Sequence, residues 1–333
     1  MGVVLERGGS NLGWYRLNHG LGLAPPGSGG NCREQFGIFR RYHEPGVRAA
    51  TQDILDRLRV NQCWLRSNFY GWLNGDGGTL VDVRSGAVTG QNLNNLVAFL
   101  QDIRDRDFKL NFGYFWIGDI APVEWNVWEA GRYNTLYSVI KQLQPIIHSF
   151  NWPEYHVDLA NEAQAASNQH PVLRQFGWRV YQDFVDDFGP GLTGGVSVGF
   201  GLGNPGLSRY DIQFQDQANT VHGVAPILDI HGYFPFSETG TNWLKLLENR
   251  MIANGDNRNI RISETFYSSH TAHVNGMLNQ IAALDRDVEH IIQWGLAETN
   301  HCDDVEIVDT TLFTYGGEPC ETTGVDCGNS EWG

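Results

Sequence analysis

Two carboxylates, Glu162 and Glu264, close the segments Asp158-Leu-Ala-Asn161-Glu162 and Arg261-Ile-Ser-Glu264. Each follows a short apolar run of the kind that forms a strand. Two acids at the C-terminal ends of different barrel strands can hydrolyse a glycosidic bond, one as acid and the other as nucleophile. A carboxylate at the end of an apolar strand is costly unless it has a partner or a task. A structural salt bridge would explain either residue alone, so the surrounding residues decide between the readings.

Those residues are of suitable types. Asn161 precedes Glu162, and its amide can donate to a sugar hydroxyl. Arg66, in Trp64-Leu65-Arg66-Ser67-Asn68, can keep a nearby carboxylate ionised. His231 and Tyr233 share one strand-like run at a spacing of two and point to one face. Tyr233 can donate to the nucleophile, and His231 can bind substrate or orient a carboxylate. Trp294 can floor the sugar at the cleavage point. Trp116 and Asp119 follow as substrate contacts, and Trp125 and Trp128 serve either as outer subsites or as loop packing. Tyr267, His270 and His273 can line the cleft or cap a helix, and Glu298 can make a second substrate contact.

The elements that position these residues alternate. Apolar runs at 62–67, 108–116, 155–160, 195–201, 227–233, 259–264 and 289–296 read as strands. The first strand is assigned to 14–23 or 36–40, and residues 1–11 to a loop. Amphipathic stretches at 47–58, 91–106, 132–149, 172–188, 211–222, 242–253 and 272–284 read as helices. Residues 72–90 read as a long loop above the second strand. Eight alternations in 333 residues predict an α/β fold, a (β/α)8 TIM barrel with elongated loops. The expected organisation is one catalytic domain over 1–333, with a core of about 14–300 and an irregular tail over 301–333 packing on the barrel. A doubly wound sheet is disfavoured because Gly27-Ser-Gly-Gly30 follows Pro25-Pro26 rather than a strand, and opens no helix.

Bulk properties exclude other classes. A formal charge of -15 argues against a nucleic-acid partner, which calls for a basic stripe. No apolar run is long enough to span a membrane, and residues 1–11 lack a basic-then-apolar leader pattern. The five cysteines show no metal-ligand spacing. Cys63 reads as a buried thiol, and Cys320 and Cys327 could pair in an oxidising compartment. An extracellular or secreted location is expected. The default state is a monomer with no cofactor and no metal; His301, Cys302, Asp303 and Asp304 are the one cluster weighed for a metal.

In the order Arg66, Asn161-Glu162, His231 with Tyr233, Glu264 and Trp294, the chain resembles clan A of the retaining (β/α)8 glycoside hydrolases. The likeness covers element order over about 14–300 and singles out no family. It implies a double displacement. Glu162 would be the acid/base, with a raised pKa, and Glu264 the nucleophile that forms a glycosyl-enzyme intermediate, the two carboxyl groups about 5–5.5 Å apart. The implied partner is a polysaccharide or oligosaccharide, cleaved endo on a polymer or exo on oligosaccharides. A non-catalytic carbohydrate-binding barrel is the alternative, against which both carboxylates count. A metal-dependent hydrolase is disfavoured because Arg16-Leu-Asn-His19 offers one histidine where such a site needs His-x-His.

Overall fold

The computed structural model describes residues 2–12, 15–16, 33–34, 41–59, 62–73, 81–200, 206–233, 242–265, 271–293 and 306–307. The elements are β1 (Val4–Asn11), β2 (Tyr15–Arg16), β3 (Arg33–Glu34), α1 (Pro45–Leu58), β4 (Trp64–Trp72), β5 (Val81–Asp82), α2 (Gly90–Arg104), β6 (Lys109–Trp116), α3 (Ala130–Ser149), β7 (Tyr155–Asp158) and α4 (Pro171–Phe188). After these come β8 (Thr193–Gly195), β9 (Val198–Phe200), α5 (Gly206–Ala218), β10 (Ile227–Gly232), α6 (Trp243–Ala253), β11 (Asn259–Thr265), α7 (Thr271–Ala282), β12 (Val288–Gln293) and β13 (Glu306–Ile307).

The main sheet is parallel and runs β8-β7-β6-β4-β1-β12-β11-β10-β9, with β5 at the end of β4. Its two ends, β8 and β9, are halves of one segment, so residues 193–200 close the ring. β8 pairs with β7 and β9 with β10. The architecture is therefore the expected (β/α)8 barrel, with seven of the crossover helices among the described residues. Several boundaries differ from the sequence reading: the second barrel strand runs on to Trp72 rather than ending at 67, β5 lies within the expected 72–90 loop, and α5 spans Gly206–Ala218 rather than 211–222. The first barrel strand is β1, so the core begins at Val4 rather than near residue 14. Gly8 and Gly9 hide β1 from a sequence reading by breaking its alternation, and Gly8 takes a positive φ of 80° where the register shifts. The fifth strand is broken at Val196-Ser197 rather than continuous, after Gly195 at φ 92°. Tyr15–Arg16 instead pairs with Arg33–Glu34 and with Glu306–Ile307 in a small antiparallel sheet.

Strand alternation divides the side chains into two shells. Leu65, Phe69, Leu110, Phe112, Leu228, Ile230, Ile260 and Ile262 point outward and are buried under the helices. The helices answer at helical spacing, with Ile54, Leu55 and Leu58 on α1 and Leu96, Phe99, Leu100 and Ile103 on α2. Each such side chain contributes about 1.5–3 kcal/mol when fully buried. The termini carry local signals: Pro171 opens α4, Gly189 at φ 86° ends it, and the Asn242 side chain accepts from Lys245 N–H at 2.8 Å to cap α6.

The inward shell is polar, unlike the branched aliphatic filling usual for such barrels. Trp64, His156, Asp229, Arg261 and His290 form its lower layer, all buried. Trp64 stacks on His156 at 5.1 Å and packs on His290 at 4.1 Å. His156 also bonds Glu154 at 2.8 Å. Above lie Arg66, Asn111, Asp158, His231 and Ser263. Asn111 Nδ2 donates to Ser263 Oγ at 2.9 Å and so ties β6 to β11 across the barrel.

Cys63 was expected to be a buried thiol. It is buried but disulfide-bonded, its partner lying outside the described residues, as do Cys320 and Cys327. An apolar neighbourhood fits either state, which is why the strand pattern could not tell them apart.

The lower layer makes stability pH-dependent. Burial, helped by Arg261, holds His156 down to about 4 against the pull of Glu154, and burial holds His290 well below its ordinary 6.5. Both are neutral when folded and take up protons more readily when unfolded. Stability present above 6.5 is therefore lost as pH falls from there towards 4. Calorimetric melting between pH 7 and pH 4 should show a steady fall in Tm across that window.

Candidate active site

The site opens at the C-terminal ends of β4, β7, β10 and β11. Arg66 lies at its base with no exposed side-chain surface. Its Nη1 donates to Asn111 Oδ1 at 2.9 Å, and its Nη2 to Asp158 Oδ2 and Asn161 Oδ1, each at 2.8 Å. Nε lies 4.0 Å from Glu264 Oε2. Asp158 is satisfied on its other oxygen, which accepts from Ser197 N–H at 3.0 Å and Ala160 N–H at 3.3 Å. A buried guanidinium thus has its counter-charge and its acceptors in place, as such a group requires.

Glu162 sits just beyond β7 in the left-handed region at φ 50°, a conformation a non-glycine residue rarely holds without support. Support comes from the break in the fifth strand, where Ser197 Oγ accepts the Glu162 N–H at 2.9 Å. Glycine at 199 leaves room for the carboxylate, whose Cδ lies 3.0 Å from where a Cβ would stand.

Glu264 reaches the interior by a different device. Ser263 already faces inward, so strict alternation would send Glu264 to the helices. The register of β11 shifts against both neighbours at this point, pairing His231 with Glu264 and Thr265 with Gln293. This irregularity turns two successive side chains into the barrel. Glu264 is 5% exposed, and Tyr233 Oη donates to its Oε1.

His231 connects the two acids. Its Nδ1 lies 3.1 Å from Glu162 Oε1 and 3.6 Å from Glu264 Oε2, and its Nε2 lies 3.8 Å from Asp158. The facing atoms of Glu162, His231 and Glu264 lie within 4.8 Å of one another. That spacing would admit a divalent ion, but Arg66 already provides a permanent cation beside Oε2. The arrangement reads as two carboxylates bridged by a histidine.

The protonation pattern corrects one expectation. Glu162 was expected to have a raised pKa. Burial does push it up, but the His231 hydrogen bond and charge, with Arg209 and Arg66 behind them, bring it below its ordinary value. Glu264 moves the other way, raised first by burial and then by the charge of Glu162. His231 is raised, because Glu264 and Glu162 outweigh the opposing effect of burial. Tyr233 is held well above its ordinary value by burial and by Glu264, so it remains a donor. His231 and Glu162 thus favour each other's charged forms across their shared hydrogen bond.

Of the residues singled out in the sequence, Arg66, Asn161, Glu162, His231, Tyr233 and Glu264 converge. Trp116 does not join them. Asn111 faces inward on β6, so Trp116 at odd spacing from it faces outward, where it stacks on Tyr114 at 5.6 Å and donates to Leu159 O at 3.4 Å. Asp119 is exposed, and its carbonyl accepts from Trp125 and Arg132. Trp125 is buried against Trp128 and Phe176, which is loop packing rather than an open subsite. Trp294, Tyr267, His270, Glu298 and the 301–304 cluster lie outside the described residues, and so does the His273 side chain. The sequence reading assigned no role to Asn111, Gly113, Asp158, Ser197, Gly199 or Arg209. Asn111 and Gly113 carry a faint signal, a polar residue and a glycine at a spacing of two inside an otherwise apolar strand.

No protein-family model matches the sequence, and no curated relative does. Solved structures do match in fold. One is a GH5_18 enzyme from Bifidobacterium longum in complex with Manβ1-4GlcNAc, at TM-score 0.55 and 10% identity over 82% of this chain and 73% of that one. A GH5 family lichenase from a Caldicellulosiruptor species gives TM-score 0.54 at 12% identity, over 92% and 88% of the two chains. A GH113 β-1,4-mannanase gives 0.53 at 10% identity, over 92% and 94%. The likeness is one of fold: this chain shares the (β/α)8 barrel of these glycoside hydrolases.

Gly113 tests how tightly this site is packed. A Cβ there would collide with Asn68 Oδ1 and come within 2.9 Å of Arg66 Nη2. Arg66 cannot give way without losing Asp158 and Asn161. Gly113→Ala should therefore cost about 1–3 kcal/mol, read from urea unfolding, despite being the smallest possible change.

Proposed function

We propose that the protein is a retaining glycoside hydrolase that cleaves a polysaccharide internally. One observation carries this reading: Glu162, just beyond β7, and Glu264, on β11, bring their facing oxygens within 4.8 Å. That suits the short carboxyl separation of about 5–5.5 Å in retaining enzymes and not the roughly 6.5–9.5 Å that leaves room for water in inverting ones. The likeness in fold to enzymes named for mannan and lichenan supports the substrate class.

Glu264 is the nucleophile. Arg66 and the Tyr233 hydroxyl offset its negative charge, and burial leaves the ionised form poorly hydrated and reactive. Glu162 is the acid/base, with His231 as its nearest proton source. A sugar seated over the pair excludes water and disfavours the ionised form of Glu162, which takes the proton from His231 Nδ1. Glu162 then protonates the leaving oxygen while Glu264 attacks the anomeric carbon. Once Glu264 is esterified its charge is gone, and Glu162 takes a proton from the water that releases the sugar. Asn161, fixed by Arg66, has its amide free for a sugar hydroxyl. The Cys63 disulfide supports a secreted location.

The test is hydrolysis of soluble β-1,4-mannan, lichenan and cello-oligosaccharides, followed by reducing-end release. Glu264→Gln should lower turnover at least about a thousandfold with unchanged circular dichroism. A first-formed product of inverted configuration, seen by proton NMR, overturns the assignment. The pH profile should be bell-shaped. Its acid limb lies above 4.5, where the raised Glu264 gains its proton, and its alkaline limb above 6.5, where the raised His231 loses its own.

A further inference from the structure

Arg209 stands in the first turns of α5, outside the constellation described above. Its Nη1 donates to Gly199 O at 3.0 Å, which fixes the guanidinium over the end of β9. A Cβ on Gly199 would come within 3.1 Å of both Arg209 Nη1 and Glu162 Oε2. The guanidinium and the carboxylate therefore face each other across the space that this glycine leaves. The gap is not closed by a bond: among the described residues no carboxylate oxygen lies within ion-pair distance of Arg209, and its buried Nε has no acceptor. Burial works against its charge and Glu162 works for it.

The other charges that face Glu162 are engaged with one another. His231 on β10 is shared between Glu162 and Glu264, Tyr233 is bonded to Glu264, and Arg66 on β4 is tied to Asp158 on β7. Among the described residues Arg209 has no acid of its own, and it faces Glu162 across the Gly199 gap.

We propose that Arg209 is a positioning residue that sets how readily Glu162 gives up and takes back its proton, acting as a fixed positive charge across the Gly199 gap. The idea rests on Glu162 being the acid/base. A negative nucleophile close to the acid favours its protonated form, and His231 opposes this only while it keeps its own proton. Arg209 cannot lose its charge. It therefore holds Glu162 acidic enough to transfer a proton to a leaving oxygen even after His231 has given its proton up.

The experiment needs no substrate. Glutamate carboxyl carbons are labelled with carbon-13 in the full chain, and the Glu162 resonance is assigned by its loss in Glu162→Gln. Arg209→Gln should raise the Glu162 titration midpoint by about one pH unit, whereas Arg209→Lys, which keeps the charge, should leave it near the wild-type value. If Arg209→Gln does not fold, Arg209→Met, which keeps the packed stem, is measured instead. A midpoint that stays where it was in the charge-removing variant overturns the proposal, since a merely structural role predicts no shift. Full glycan hydrolysis by Glu162→Gln would instead refute the acid/base reading, whatever the titration shows.

Discussion

A guanidinium with no exposed surface, at the centre of a barrel, constrains everything around it. Arg66 cannot shed its charge, and a lone buried cation would cost more than the fold could bear. Asn111, Asp158 and Asn161 take its donors, and Glu264 lies 4.0 Å from its Nε. They come from three strands and their ends, β6, β7 and β11, so one side chain sets the polarity of most of the barrel's middle layer. The aliphatic residues are displaced to the shell between strands and helices. Gly113 is small for the same reason, because the guanidinium and Asn68 occupy the space a side chain would need.

That charge also shapes the chemistry above it. Two carboxylates facing each other cannot both remain ionised cheaply. Arg66 offsets part of the repulsion from below and His231 offsets part from between. The result is a pair whose members differ by environment: Glu264 deep and bonded to Tyr233, Glu162 with a side chain 37% exposed and bonded to His231. The two acids are thus set apart by their surroundings, although they are of one residue type.

Much of this was legible beforehand, and the rest was hidden for definite reasons. Helices such as α1 and α2 declare themselves by apolar spacing, and the strand-end acids by their contrast with apolar runs. Arg66, His231 and Tyr233 were recognisable because polar residues inside strands need an explanation. Trp116 was misplaced because proximity to a strand end says nothing of which face a side chain occupies; the parity of β6, fixed by Asn111, decides it. Glu264 shows the converse, since strict alternation would have rejected it and only the shift in β11 brings it inward. β1 was missed because its two central glycines erase the alternation. Ser197 could not have been found at all, for its contribution depends on a strand break and on the backbone of a residue far away in sequence.

The break in the fifth strand links ring closure to acid placement. Residues 193–200 are the seam that joins β7 to β10, and Ser197 stands in the middle of it. The same hydroxyl holds Glu162 in its left-handed conformation. A partly assembled chain carrying both glutamates but with its seam open would lack the support that aims one of them. The placement of this acid thus depends on the same segment that closes the ring.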